Sequence, residues 1–140
     1  MYIKQLSIFV ENKNGRLETI IDTLSKNGIN ISALSIADTT DFGILRMIVD
    51  DSEKARAALK EIGVISKCTE VIAVYIDDKT GGLASVLKVI AEQELGIEYM
   101  YAFLGRVHGK ALMVLKADDP EKTVKILKEH NIEVASGDVI

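Results

Sequence analysis

The chain has 140 residues, with 17 Lys and Arg against 21 Asp and Glu and a formal net charge of −4. That balance argues against a nucleic-acid surface, which needs a net basic patch, and no dense Lys/Arg run supplies one. A hydrophobic fraction of 48% with 27% charged residues excludes a disordered chain, and the single Cys68 excludes an intrachain disulfide and an all-cysteine metal site.

The opening MYIKQLSIFV reads as a strand in which Leu6, Ile8 and Val10 share one face. It lacks the basic region and long apolar stretch of a signal peptide. The longest apolar run near the middle, VIAVYI (71–76), is far shorter than the roughly 20 residues a membrane span takes, so a cytoplasmic protein is expected. After the first strand comes a polar loop, ENKNGRL (11–17). Leu17, Ile20, Ile21 and Leu24 then fall at i, i+3, i+4 and i+7, the stripe of an amphipathic helix. Two strands are expected over 29–38 and 43–49, with a turn around Thr40–Phe42. Asp51 is placed to cap a second helix that Gly63 ends, and a short strand follows.

The same order is then written again. KNGRLETIIDTLSKNGINI (13–31) aligns with KTGGLASVLKVIAEQELGIEY (79–99), with two extra residues placed late in the second copy's helix. GILRMIV (43–49) is matched to GKALMVL (109–115), and DDSEKARAALKEI (50–62) to DDPEKTVKILKEH (118–130). The second stripe is Leu83, Val86, Leu87 and Ile90, and its strands are expected over 97–106 and 110–116. Gly28 and Gly96 stand just past the two stripes, where a helix commonly ends on a left-handed residue. Asp119 is placed to cap the last helix, with Pro120 at its first position and Asn131 at its end. The reading is α+β: two ferredoxin-like βαββαβ repeats, 1–68 and 69–140, with antiparallel sheets and helices on one face. No Pro/Gly/Ser-rich linker separates them. Strands such as VIAVYI and ALMVL are apolar at nearly every position, so the second sheet face should be covered by the other repeat, by a partner chain, or by both.

That unit hosts many functions, and the residues narrow them. The third strands carry no aromatic residue for stacking on RNA bases, and neither first loop carries a Cys-x-x-Cys pair for a metal. ENKNGRL has one glycine only, too few for an arginine-bearing phosphate cradle. His108, in a turn, and His130, at a helix end, have no counterpart in the other repeat and read as surface residues; Asp77–Asp78 reads as a solvated loop, and Cys68 as a small core or edge residue. No metal, cofactor or catalytic residue is assigned.

ENKNGRL followed by GINI (28–31), on the first helix and second strand of such a unit, resembles an ACT domain, and DDKTGGL (77–83) with GIEY (96–99) resembles a second. The resemblance covers essentially the whole chain, as two ACT domains in tandem with no catalytic domain attached. It implies a regulatory module that binds an amino acid at an interface between domains. Asn12 matches the loop asparagine of serine-binding ACT domains, Gly15 the loop glycine, and Asn30 the asparagine opening the second strand. The physics agrees: a helix N-terminus offers N–H groups to a carboxylate, a loop glycine admits close approach, and an asparagine amide can hold either end of a zwitterion. The candidate ligand-binding residues are Asn12, Asn14, Gly15, Arg16, Leu17, Asn30 and Ile31 in the first repeat. In the second they are Asp78, Gly81, Gly82 and Glu98, with Asp78 at the Asn12 position and Glu98 at that of Asn30. The family's proline before the loop glycine is Asn14 in one copy and Thr80 in the other. The expected function is amino-acid sensing without turnover by a chain that forms a homodimer. The alternative is a regulatory subunit that grips an amino-acid-biosynthetic enzyme with weak or no ligand binding of its own, and a more distant one is an enzyme of undetected type.

Overall fold

The computed structural model describes residues 2–38 and 41–140. By contacts the chain forms two units, Lys4–Thr69 with Ile140, and Glu70–Val139 with Tyr2 and Ile3. In the first, β1 (Ile3–Glu11), α1 (Arg16–Lys26), β2 (Ile31–Asp38), β3 (Phe42–Val49) and α2 (Ser52–Glu61) follow the expected order. β3 pairs antiparallel with both β1 and β2, bringing Leu45 opposite Ile8 and Ile36. The period-2 pattern of β1 turns Leu6, Ile8 and Val10 inward. There they pack with Leu45, Met47 and Val49 against Ile20 and Leu24 of α1 and Ala55 and Leu59 of α2, so both helices lie on one sheet face. Cys68 is half-buried against this core. Each such Leu or Ile contributes about 1.5–3 kcal/mol by leaving water. The expected turn at Thr40 lies outside the described residues, and Phe42 belongs to β3.

β4 (Ser66–Ile76) carries the boundary, its residues from Glu70 onward opening the second unit. There α3 (Gly82–Glu92), β5 (Ile97–Ala102), β6 (Ala111–Ala117) and α4 (Pro120–Glu129) repeat the plan, with β6 paired antiparallel to β4 and β5. Ile72, Val74 and Ile76 pack on Val86 and Ile90 of α3 and Val124 and Leu127 of α4. The expected last strand is reduced to a bridge between Val74 and Val134, flanked by Tyr75 N–H to Glu133 O and Ala135 N–H to Ala73 O. The strands with two-sided apolar patterns are buried on both faces. Ala73 and Val114 pair across β4 and β6 on the face away from the helices and are 0% exposed, as are Ala33 and Ile48 across β2 and β3.

Helix ends follow the sequence at α2 and α4. The Asp51 and Asp119 carboxylates accept from the N–H groups of Lys54 and Lys122, and Pro120 opens α4. Gly63 and Asn131 close these helices at φ 79° and 58°. The second copy's register departs from the expected alignment. Helices α1 and α3 have the same length, 11 residues, so the extra residues are not in α3. The left-handed residue after α3 is Glu94, φ 56°, where α1 has Gly28, φ 70°. Ile29 N–H bonds Leu24 O just as Leu95 N–H bonds Ile90 O, and Asp50 N–H bonds Asn30 O just as Asp118 N–H bonds Gly96 O. The counterpart of Asn30 is therefore Gly96, not Glu98. Gly96 is not the left-handed helix end that was expected; a Cβ there would stand 2.0 Å from the Asp118 Oδ2, the end of a side chain. The two extra residues lie between β5 and β6. There Val107 and Lys110 bond one another in both directions across His108 and Gly109, both at positive φ. This insertion also shifts the third strands: Gly43 corresponds to Ala111, not Gly109, since each faces the matching residue of β1 or β4, Val10 and Ile76.

Candidate functional site

The two loops fold alike down to individual hydrogen bonds. Lys13 N–H donates to Glu11 O at 2.7 Å and Arg16 N–H to Lys13 O at 3.2 Å; Lys79 N–H donates to Asp77 O at 2.9 Å and Gly82 N–H to Lys79 O at 3.0 Å. The Thr19 hydroxyl bonds Gly15 O, and the Ser85 hydroxyl bonds Gly81 O, each at 2.9 Å. Gly15 and Gly81 hold the N-cap positions at φ 80° and 84°, a conformation that costs other residues about 1–2 kcal/mol. Neither helix receives a side-chain cap, whereas α2 and α4 are both capped by aspartate. With the Arg16 and Gly82 N–H groups used inside the loops, those of Leu17 and Glu18 in α1 and of Leu83 and Ala84 in α3 face outward for an acceptor, and the dipole favours an anion there.

Around the first loop lies a pocket of about 350 Å³. Asn12, Lys13 and Glu11 form its polar side with Asp38, and Val10, Leu17 and Ile36 its apolar side. Lys13 Nζ stands 2.9 Å from Glu11 Oε2. That hydrogen bond, aided by the lysine's charge, holds the Glu11 carboxyl below its ordinary value of 4.5. Such a wall offers a cation, two carboxylates, an amide and an apolar floor, the complement of a small zwitterion with a carbon side chain.

Asn12 and Leu17 line this pocket. Gly15 and Arg16 shape the loop behind it, and Asn14 is exposed at the turn. Gly15 has open space where a Cβ would be, so its positive φ accounts for the glycine, not crowding. Asn30 and Ile31 line a separate open depression with Ile21, Ser25 and Gly28, and the Asn30 N–H is bonded to Asp50 Oδ1 at 3.1 Å. The first-repeat residues are therefore divided between two depressions. In the second repeat, Asp78 is in contact with Arg106 and Asp77 stands 3.6 Å from Lys110, ion pairs that link the loop to the β5–β6 connection. Gly81 caps α3, Gly82 is buried, and Glu98 is exposed at a break in the β5–β6 register.

Lys13, Ile36 and Asp38 line the first pocket without having been singled out from sequence. Lys13 could have been found, since its counterpart Lys79 keeps the same place in the repeat. His108 and His130 are exposed, His108 with its ring 6.2 Å from that of Tyr75 and His130 with Nδ1 2.9 Å from Ile126 O. Among the described residues no group of His, Cys, Asp and Glu is arranged to hold a metal, and no helix is long and apolar enough to cross a membrane.

The family model for an ACT domain pair matches residues 1–139. Comparison with curated protein sequences gives no match. Among solved structures, protein BT0572 from Bacteroides thetaiotaomicron is 39% identical with a TM-score of 0.90, over 98% of this chain and 94% of that one. The regulatory subunit of aspartate kinase from Thermus thermophilus, in ligand-free form, is 14% identical with a TM-score of 0.63, over 90% and 91%. That from Thermus flavus is 12% identical with a TM-score of 0.58, over 90% of each chain. At these last identities the likeness is one of fold. With its paired βαββαβ units and a family match over nearly the whole length, the chain belongs to the ACT domain family, as an ACT domain pair.

Proposed function

We propose that this ACT pair is a regulatory protein that binds an amino acid at the first loop and performs no turnover. The observation that carries the reading is the pocket beside α1. Its polar and apolar walls match a zwitterion, and the adjacent helix end is left without the side-chain cap that α2 and α4 have. The ligand carboxylate is read by the α1 N-terminus with Asn12 and Lys13, the ammonium by Asp38, and the side chain by Leu17 and Ile36. Asn14, Gly15 and Arg16 set the loop. Asn30 and Ile31, in their own depression, close the site from a second copy of the chain, which is therefore a homodimer. The repeats act as domains 1–68 and 69–140 in the cytoplasm, and binding favours one arrangement of them over another.

The test is a thermal-shift screen against the common amino acids. A ligand at 100 times its dissociation constant adds about 2.7 kcal/mol of stability. Asn12→Ala should remove the shift while leaving the ligand-free melting temperature in place; no response to any amino acid would sink the sensor reading. A second reading, a regulatory subunit gripping an amino-acid-biosynthetic enzyme, draws support from Phe9 and Ile65 of the first unit, which are 74% and 88% exposed. Co-purification with such an enzyme, lost on Phe9→Ser, would favour it.

A further inference from the structure

Because Leu6, Ile8 and Val10 turn toward the helices of the first unit, alternation along β1 sets Ser7, Phe9 and Glu11 on the opposite sheet face. There Phe9 faces Ile44 of β3, Ile44 faces Ala37 of β2, and Phe42 stands one step along, opposite Glu11. Farther along this face Ala33 and Ile48 are fully buried, but Phe9 is 74% exposed, Phe42 47%, and Ala37 is exposed as well. The second unit shows which residue adjoins Phe9 on its other side. At the place of Phe9, the Tyr75 N–H bonds the carbonyl of Glu133, which stands at the place of Ile65. Ile65, itself exposed, thus extends the row beside Phe9. The second unit buries the same row: Tyr75 is 8% exposed and Leu112, its partner on β6, 1%. The ring of His108, from the lengthened connection, lies 6.2 Å from that of Tyr75. The first unit leaves its row bare.

We propose that this row is the contact for a second copy of the chain, stacked sheet against sheet. Phe9, Ile65 and Phe42 expose on the order of 400 Å² of apolar side chain. A stable interface buries about 800 Å² per partner, with an apolar centre and a polar rim, so the row has the size of such a centre. The charges beside it are self-complementary. Along the strands, Glu11 stands on one side of the Phe9–Ile44 pair, and Arg46, opposite Ser7, on the other. A two-fold axis lying along the row sets the Glu11 end of each copy over the Arg46 end of its mate, across sheets stacked about 10 Å apart. A partner of one charge would meet attraction at one end and repulsion at the other. This contact does not rest on the first-loop reading. With the pairing at that loop the chain assembles as a tetramer, and without it as a dimer.

The test is sedimentation equilibrium of the purified full chain over a range of concentrations. Phe9→Ser and Ile65→Ser, both at the surface, should leave the circular dichroism unchanged. Each should raise the concentration at which copies associate at least about tenfold. Glu11→Arg and Arg46→Glu should each weaken association in the same sense, and the double exchange should restore it, which a loss of folding cannot imitate. Asn30→Ala bears on the pairing at the first loop and should leave this step in place. The proposal is overturned by a chain that stays monomeric to about 1 mM, by association that both serine variants retain, or by a double exchange that fails to restore it. A monomeric chain that needs Phe9 only to hold an enzyme would also overturn it, in favour of that partner.

Discussion

Three glycines that look alike in sequence have three different surroundings, and alanine substitution separates them. At Gly82 a Cβ would stand 2.0 Å from the Asp77 carbonyl oxygen, a backbone atom, where ordinary contact begins at 3.4 Å. The loop must open by the difference, roughly 1.4 Å. Both its closing bonds, Gly82 N–H to Lys79 O at 3.0 Å and Lys79 N–H to Asp77 O at 2.9 Å, are then at risk. Two bonds at about 0.5–1.5 kcal/mol each, plus residual strain, give a loss of about 2–4 kcal/mol for Gly82→Ala. At Gly15 the Cβ meets nothing within 4 Å and only the φ of 80° is penalised, so Gly15→Ala should lose about 1–2 kcal/mol. At Gly96 the obstacle is the Asp118 carboxylate, a side-chain end that can rotate away. Alanine also reduces the unfolded chain's entropy there, so Gly96→Ala should fall within about 1 kcal/mol of zero. Equilibrium urea unfolding gives all three values. An order other than Gly82 above Gly15 above Gly96 would refute this account of the loops.

The remaining perturbations are local. Asp119→Ala removes the side-chain cap of α4 and should cost about 1 kcal/mol. Asp51→Ala should cost the same at α2, and the two should add to within about 0.5 kcal/mol because they share no partner. The Glu11 carboxyl, held down by Lys13, contributes stability that is present above its unfolded value of 4.5 and is lost as pH falls through the lower folded value. Lys13→Met should return that carboxyl toward 4.5, read from the Glu11 side-chain carbon signal during an NMR titration. An unmoved midpoint would show that the pair does not form in solution.

Much of the fold could be read because its signals are local and periodic. The alternation in β1, the stripe Leu17–Leu24 and the aspartate caps at 51 and 119 each specify an element from neighbouring residues alone. The register of the second copy was harder, because Gly96 imitates the helix-ending Gly28. A left-handed Glu94 carries no signature in sequence, and only the hydrogen bonds after α3 reveal that the helices are equal in length. Site residues followed the same division. Asn12 and Leu17 are on the loop itself and were visible from it. Ile36 and Asp38 reach the pocket through strand pairing. Such neighbours depend on long-range register, which one sequence does not display.

What the duplication preserved is backbone, and what it released is side chain. The αL glycines at 15 and 81, the bonds closing each loop, and the hydroxyl of Thr19 or Ser85 on the glycine carbonyl are the same in both copies. These set the direction in which each helix leaves its loop, and the helices fill the two cores; a change there is felt as stability. Of the residues that differ, Asn12 against Asp78 and Phe42 against Lys110 stand exposed at or beside the loop surfaces, where packing imposes little, whereas Gly82, in the place of Arg16, is buried against the Asp77 carbonyl. Asp78 shows the consequence. Its carboxylate is engaged by Arg106 from the connection that the second copy alone has lengthened, so the place that Asn12 leaves open in the first copy is taken by the chain itself in the second.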